Sequence, residues 1–371
     1  MRPTTVPLPG WGALRAALGT AAADREALSA GWARPGERAL WFSRSAWSLA
    51  ALADAFAEIL GVPPVVAVPD YICNAALAPL AQRASLVFYP VSAETLAPDW
   101  QGCADLPRFD LFLLVHYFGQ PSEAAAAADF CADHRAVLIE DAAHVLRPLP
   151  GIGETGMATL YSPHKLLAAP DGAALVVAET GAELLAPLRA AADRLGDTAP
   201  PTGNWVWRRA IQKTPPGRLL ARFRPGGQPD FASDPAPTPL PITPALSAAG
   251  GTLIGRADLD AIALRRAANA IALAEALTPL AEWMPLFQLR NDVPPYRLVM
   301  RCRDETVADD LYARFRAARL PVESWPDLPE GVGADSAARL LRGTLLLLPC
   351  HQGIEAESAA AAYARAMENR R

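Results

Sequence analysis

Lysine is nearly absent. The 371-residue chain holds 34 lysines and arginines together, and only Lys165 and Lys213 are lysines. Arginine carries charge but stays protonated, so it cannot form a Schiff base. Lysine can lose its proton and attack a carbonyl. A chain that writes arginine almost everywhere and keeps a lysine therefore points to amine chemistry at that position. Lys213, in Gln212-Lys213-Thr214-Pro215-Pro216, reads as an ordinary residue of a proline-rich loop. Cysteine is scarce too: five residues, an odd count, with no CxxC spacing. That argues against a disulfide framework and a structural zinc site, and fits a reducing cytoplasm. The five histidines never pair at metal-ligand spacing on one helix face, so no metal is expected. There is no basic block, and the net charge is −5, which excludes a nucleic-acid partner by charge. No apolar run is long enough to cross a bilayer. The first residues lack the apolar core of a signal peptide.

Hydrophobic residues make up 51% of the chain, which describes a globular protein with a large core. From residue 40 to 180, short apolar runs alternate with helical patterns. The runs are Val65–Val68, Leu86–Val91, Leu111–Val115, Val137–Ile139, Ala158–Tyr161 and Ala173–Val177. They read as buried strands, with helices over Ser45–Leu60, Asn74–Arg83 and Ser122–His134 between them. This alternation predicts an α/β fold with a mainly parallel sheet flanked by helices. Residues 196–244 are rich in proline and read as a connecting segment with an interface role. A second unit follows, with helices over Arg256–Leu277, Glu305–Arg319 and 354–369 and strands over Tyr296–Cys302 and Thr344–Leu348. The expected division is a large domain, 1–245, and a small C-terminal α/β domain, 246–371.

Ligands of open α/β sheets bind at the carboxyl ends of strands. His116, Asp141 and Ser162 fall at such ends, and Lys165 follows three residues after Ser162. Ser43-Arg44-Ser45-Ala46 opens a helix, and a helix N-terminus with small hydroxyl residues can bind phosphate. Taken alone, a serine there is usually only a cap. Asp141, in Val137-Leu138-Ile139-Glu140-Asp141-Ala142-Ala143-His144, could grip a protonated pyridine nitrogen, as a pyridoxal 5′-phosphate electron sink requires. The plain alternative is a solubilising acid at a strand end. Ser162 and Lys165 also have the SxxK spacing of β-lactamase-type serine nucleophiles, but the SDN-like and KTG-like elements those enzymes need are missing.

The order and spacing of these pieces resemble the DegT/DnrJ/EryC1/StrS family of sugar aminotransferases. Several segments carry the resemblance in family order. They are Val68-Pro69-Asp70-Tyr71-Ile72-Cys73-Asn74, Val115-His116-Tyr117-Phe118-Gly119, Glu140–His144, Ser162–Gly172, and the pair Trp325-Pro326-Asp327-Leu328-Pro329 and Leu348-Pro349-Cys350-His351-Gln352. The resemblance implies the fold-type I pyridoxal-phosphate architecture, with Lys165 as the Schiff-base lysine and proton shuttle. It implies that Asp141 pairs with the pyridine nitrogen and that His144 lies near the phenolic oxygen. Ser45, the Ala46 amide and Ser162 would hold the phosphate. Cys73 falls where many relatives place a ring-stacking aromatic, and His116 and Tyr71 would line the pocket. The Ser162–Lys165 spacing is shorter than in many relatives, which marks a divergent branch. The implied reaction transfers an amino group from glutamate to a nucleotide-linked keto sugar, in a cytoplasmic homodimer. Three other readings stay open at this point. One is a sugar dehydratase of the same fold, with His164 in the lysine position. Another is a degenerate cofactor-binding scaffold. The last is an unrelated α/β enzyme with Ser162 as nucleophile.

Overall fold

The computed structural model describes residues 3–19, 23–214, 230–234, 242–280 and 282–368. Seven strands form the main sheet: β1 (Arg38–Phe42), β2 (Val65–Pro69), β3 (Ser85–Tyr89), β4 (Leu111–Val115), β5 (Val137–Ala142), β6 (Ala158–Tyr161) and β7 (Ala173–Val177). Their spatial order is β1-β7-β6-β5-β4-β2-β3. The strands β3, β2, β4, β5 and β6 are mutually parallel, while β7 is antiparallel to both β6 and β1. The central strands β4 and β7 are buried along their whole length, as expected where helices cover both faces. One face packs under the Ser45–Leu60 helix through Leu49, Leu52 and Phe56, together with Leu188 of the Leu185–Leu195 helix.

A second, three-stranded antiparallel sheet comprises β8 (Trp283–Pro285), β9 (Leu298–Cys302) and β10 (Leu345–Leu348), in the order β10-β9-β8. Helices Leu259–Leu277, Glu305–Ala317 and Ala356–Glu368 pack against it around Phe315, Leu346 and Tyr363.

Several elements depart from the sequence reading. The helix expected over Asn74–Arg83 stops at Leu77 and continues as turns. Helix Leu259–Leu277 begins only after Asp258, whose carboxylate caps the Ala261 amide at 3.0 Å, and a separate helix, Ala248–Gly255, precedes it. Within the proline-rich stretch, Gly203–Lys213 forms a helix. Residues 215–229 and 235–241 of that stretch lie outside the described residues.

The topology decides where chemistry can gather. β2, β4, β5 and β6 point the same way, so their carboxyl ends share one edge. β1 is antiparallel to β7, and β7 to β6, so β1 ends at that edge and β7 begins there. Every segment singled out from the first half of the sequence therefore meets along one line. These are Ser43–Ala46, Asp70–Asn74, His116–Gly119, Asp141–His144, Ser162–Lys165 and Pro170–Gly172.

Candidate active site

Asp141 leaves β5 with a buried carboxylate that accepts the Ala143 amide at 2.8 Å. Burial pushes its proton affinity up, while Lys165, the Ala143 amide and His116 pull it down. Lys165 belongs to a single turn, Pro163–Leu166, directly after β6. Its charge also reaches Cys73, whose thiol burial raises, and His144, whose imidazole burial drives well below its ordinary value. Asp141, His144, Lys165 and Cys73 thus share one electrostatic environment. Across the same edge, Ser45 and Ala46 open the Ser45–Leu60 helix, where Arg44 makes no side-chain capping bond. Unpaired amides at such a terminus bind anions. Ser162 is wholly buried and its Oγ has no partner among the described residues.

Residues from the second half of the chain hold this constellation. Asp327 accepts the Asn74 backbone amide at 3.1 Å and the Asn74 side-chain amide at 2.9 Å, fastening the turn that carries Cys73. Trp325 stacks on Tyr71 with ring centroids 4.4 Å apart. Gln352 donates to the Leu166 carbonyl at 3.2 Å. Arg266, fully buried in the Leu259–Leu277 helix, donates to Gln352, Pro295 and Tyr296, and reaches the Leu166 carbonyl at 3.5 Å. The turn after Lys165 is therefore fixed by two side chains from the second half of the chain.

Three residues do work that their sequence position does not suggest. His116 is completely buried with Nε2 2.8 Å from Glu140, and its Nδ1 accepts the Ser122 amide at 3.0 Å. Glu140 also takes amides from Gly153, Thr155 and Gly156. Burial opposes its charge, but the His116 bond and those amides carry it below the ordinary carboxylate range. His116 is thus a partner of Glu140 that ties down the 153–156 loop. His164 sets its Nδ1 2.9 Å from the Gly172 carbonyl, and burial with nearby Arg44 lowers its pKa to about 3. It is a neutral structural donor, so Lys165 and not His164 is the residue of this turn placed toward Asp141. Asp171 accepts both the amide and the hydroxyl of Ser247, at 2.9 and 2.6 Å, anchoring the Ala248–Gly255 helix.

Residues 72–187, which span most of this edge, match the DegT/DnrJ/EryC1/StrS aminotransferase family model. The matched segment is similar to that family. No curated protein matches the sequence. Solved structures share the fold over nearly the full length. Helicobacter pylori PseC, an aminotransferase involved in pseudoaminic acid biosynthesis, superposes with a TM-score of 0.71 at 15% identity, covering 99% of this chain and 98% of its own. DesI, solved in the presence of its TDP-sugar product, gives 0.67 at 18% identity, with 98% and 86% covered. Bacillus subtilis NtdA, solved with the cofactor PMP, gives 0.65 at 15%, with 99% and 86% covered. The seven-stranded, mostly parallel sheet flanked by helices is that of fold-type I.

The family implies pyridoxal 5′-phosphate, and the residues present suit it. A phosphate needs unpaired donors, and Ser162 Oγ and the first amides of the Ser45–Leu60 helix supply them. A protonated pyridine needs a buried acceptor, and Asp141 is one. An aldehyde needs an amine, and Lys165, three residues after Ser162, acts electrostatically on Asp141.

Proposed function

We propose that the chain is a pyridoxal 5′-phosphate-dependent aminotransferase, moving nitrogen from glutamate to a nucleotide-linked keto sugar. The observation that carries this is the grouping of Lys165 with buried Asp141 and His144 inside the family-matched segment. When bound, the cofactor supplies an electron sink for the carbanion left on the donor. Lys165 would hold it covalently, and its Nζ, once free, would take up the proton from the donor's α-carbon. Asp141, made more basic by burial, keeps the ring nitrogen protonated. His144 hydrogen-bonds the phenolic oxygen. Ser45, the Ala46 amide and Ser162 grip the phosphate. Cys73 covers the ring in place of an aromatic, giving a smaller contact. The sugar acceptor is supported by likeness to DesI and PseC.

The homodimer is part of the same proposal. Trp11, Trp207 and Ile242 are 57%, 68% and 87% exposed and are available for a subunit contact. We keep the division at 245/246, which separates the two sheets, and an interface role for 196–244. Cytoplasmic location is supported by five free cysteines, four of them buried. Among the described residues no helix is long and apolar enough to cross a membrane.

The test is a single half-reaction. Protein loaded with pyridoxal phosphate, freed of excess and mixed with L-glutamate, is expected to release about one 2-oxoglutarate per subunit. No keto acid from glutamate or from any other amino acid would exclude an aminotransferase.

A further inference from the structure

Phe118 adopts a left-handed backbone, with φ 55° and ψ 19°. A bulky side chain takes that conformation only when its surroundings enforce it. The conformation lets one residue serve two partners. Its amide donates to His144 Nδ1 at 3.3 Å, and its carbonyl accepts the Tyr296 amide at 2.7 Å. Gly119 follows at φ 88°, where a Cβ would lie 3.0 Å from the His144 carbonyl and 3.1 Å from that of Pro294, so a side chain there is both strained and crowded. With Nδ1 accepting, a neutral His144 carries its proton on Nε2. Among the described residues Nε2 has no hydrogen-bond partner. The Tyr296 ring lies flat on His144, with centroids 4.4 Å apart and planes 8° from parallel. Arg297 places its guanidinium carbon 4.0 Å from the Tyr296 centroid. It is 2% exposed and is held by Glu323 at 2.6 Å.

We propose that Phe118, Tyr296 and Arg297 are positioning residues that hold His144 as a neutral imidazole with its proton on Nε2, a fixed hydrogen-bond donor toward the cofactor's phenolic oxygen. The phenolic oxygen as target rests on the function proposed above; the tautomer does not. The charges acting on the ring come from two directions, Lys165 in the turn after β6 and Arg297 ahead of β9. Both oppose a positive imidazolium, and burial acts the same way. Asp141, on the same segment as His144, is engaged by the Ala143 amide and lies in the field of Lys165. A neutral donor can stabilise a phenolate by a hydrogen bond without surrendering its proton to it.

The experiment uses ¹⁵N-histidine-labelled protein without added cofactor, so its failure is separate from failure of the enzyme assignment. Two-bond proton–nitrogen correlation spectra report tautomer and charge, and His144→Gln identifies the His144 signals. In the unaltered protein an Nε2-protonated pattern is expected to persist across about pH 5.5–7.5, where a free imidazole titrates. A pattern protonated on Nδ1, averaged between the nitrogens, or titrating like free histidine overturns the proposal. Arg297→Met is expected to shift the onset of His144 titration on acidification upward relative to the unaltered protein, and Arg297→Lys to keep the unaltered behaviour. A His144 that ignores Arg297→Met removes Arg297 from the set. The His116 signals, fixed by Glu140, show that each variant is folded. If Arg297→Met loses them, the unaltered spectrum together with Arg297→Lys still decides.

Discussion

At Asp141 burial and charge pull in opposite directions, and the balance makes the residue useful. Desolvation favours its protonated form, while Lys165 and the Ala143 amide favour the carboxylate. A protonated pyridine beside such a group offsets the cost of its buried charge and favours the carboxylate. Asp141→Asn keeps the shape and loses the charge. Turnover is expected to fall about 10²-fold or more, with the fold intact by circular dichroism; unchanged kinetics would remove the role. His351 is a second buried case. It is 1% exposed, lies 2.8 Å from the Thr4 carbonyl, and burial brings its pKa to about 4. Between that value and the ordinary 6.5 the unfolded chain binds a proton that the folded chain refuses, so stability is lost as pH falls through this window. Relative to His351→Gln, which does not titrate, the unaltered protein should lose roughly 2 kcal/mol between pH 7 and pH 5, read by urea denaturation. Lys165 stands out in the sequence because lysine is so rare. Tyr296, Arg297 and Arg266 do not, because their partners lie far away in sequence and none sits in a motif with its own chemistry. Arg266 looked like one of several arginines on a helical pattern, and only the fold shows it as fully buried.

Among the elements, runs with a single strong period were read almost to the residue. Ser45–Leu60, Leu111–Val115, Ala158–Tyr161 and Ala173–Val177 coincide with the structure. The misread elements are those where capping or local geometry prevails. Asp258 starts a helix where the apolar pattern already ran on from Arg256. The helical period after Asn74 is interrupted because Asp327 and Leu328 claim the Asn74 side chain and shape the turn. Gly203–Lys213 was hidden among prolines and buries only Val206, too narrow an apolar stripe to show as a period. The Leu259–Leu277 helix matters most for function, since Arg266 on it steadies the turn after Lys165. Arg266→Leu leaves the Pro295 and Tyr296 carbonyls without that donor. It is expected to cost about 3 kcal/mol or more and to weaken covalent attachment at Lys165. Unfolding by denaturant and cofactor retention on gel filtration check the two effects. Full stability with full retention would show that the bridge is idle.

Over the whole molecule, one topological fact gathers the site. β1, β2, β4, β5 and β6 end at one edge where β7 begins, so segments spread over more than a hundred residues become neighbours. The second half of the chain then closes on that edge through Asp327, Trp325, Gln352 and Arg266. The first half of this arrangement could be read from strand ends. The closure could not, because its contacts join residues from opposite ends of the chain. Two lysines make the central claim unusually direct to test. Protein incubated with pyridoxal phosphate and reduced with borohydride keeps any imine-linked cofactor permanently, and peptide mass spectrometry locates it. The pyridoxyl group is expected on the peptide containing Lys165, and absent from it in Lys165→Ala. Modification confined to Lys213 or the N-terminus, or none at all, would contradict the account.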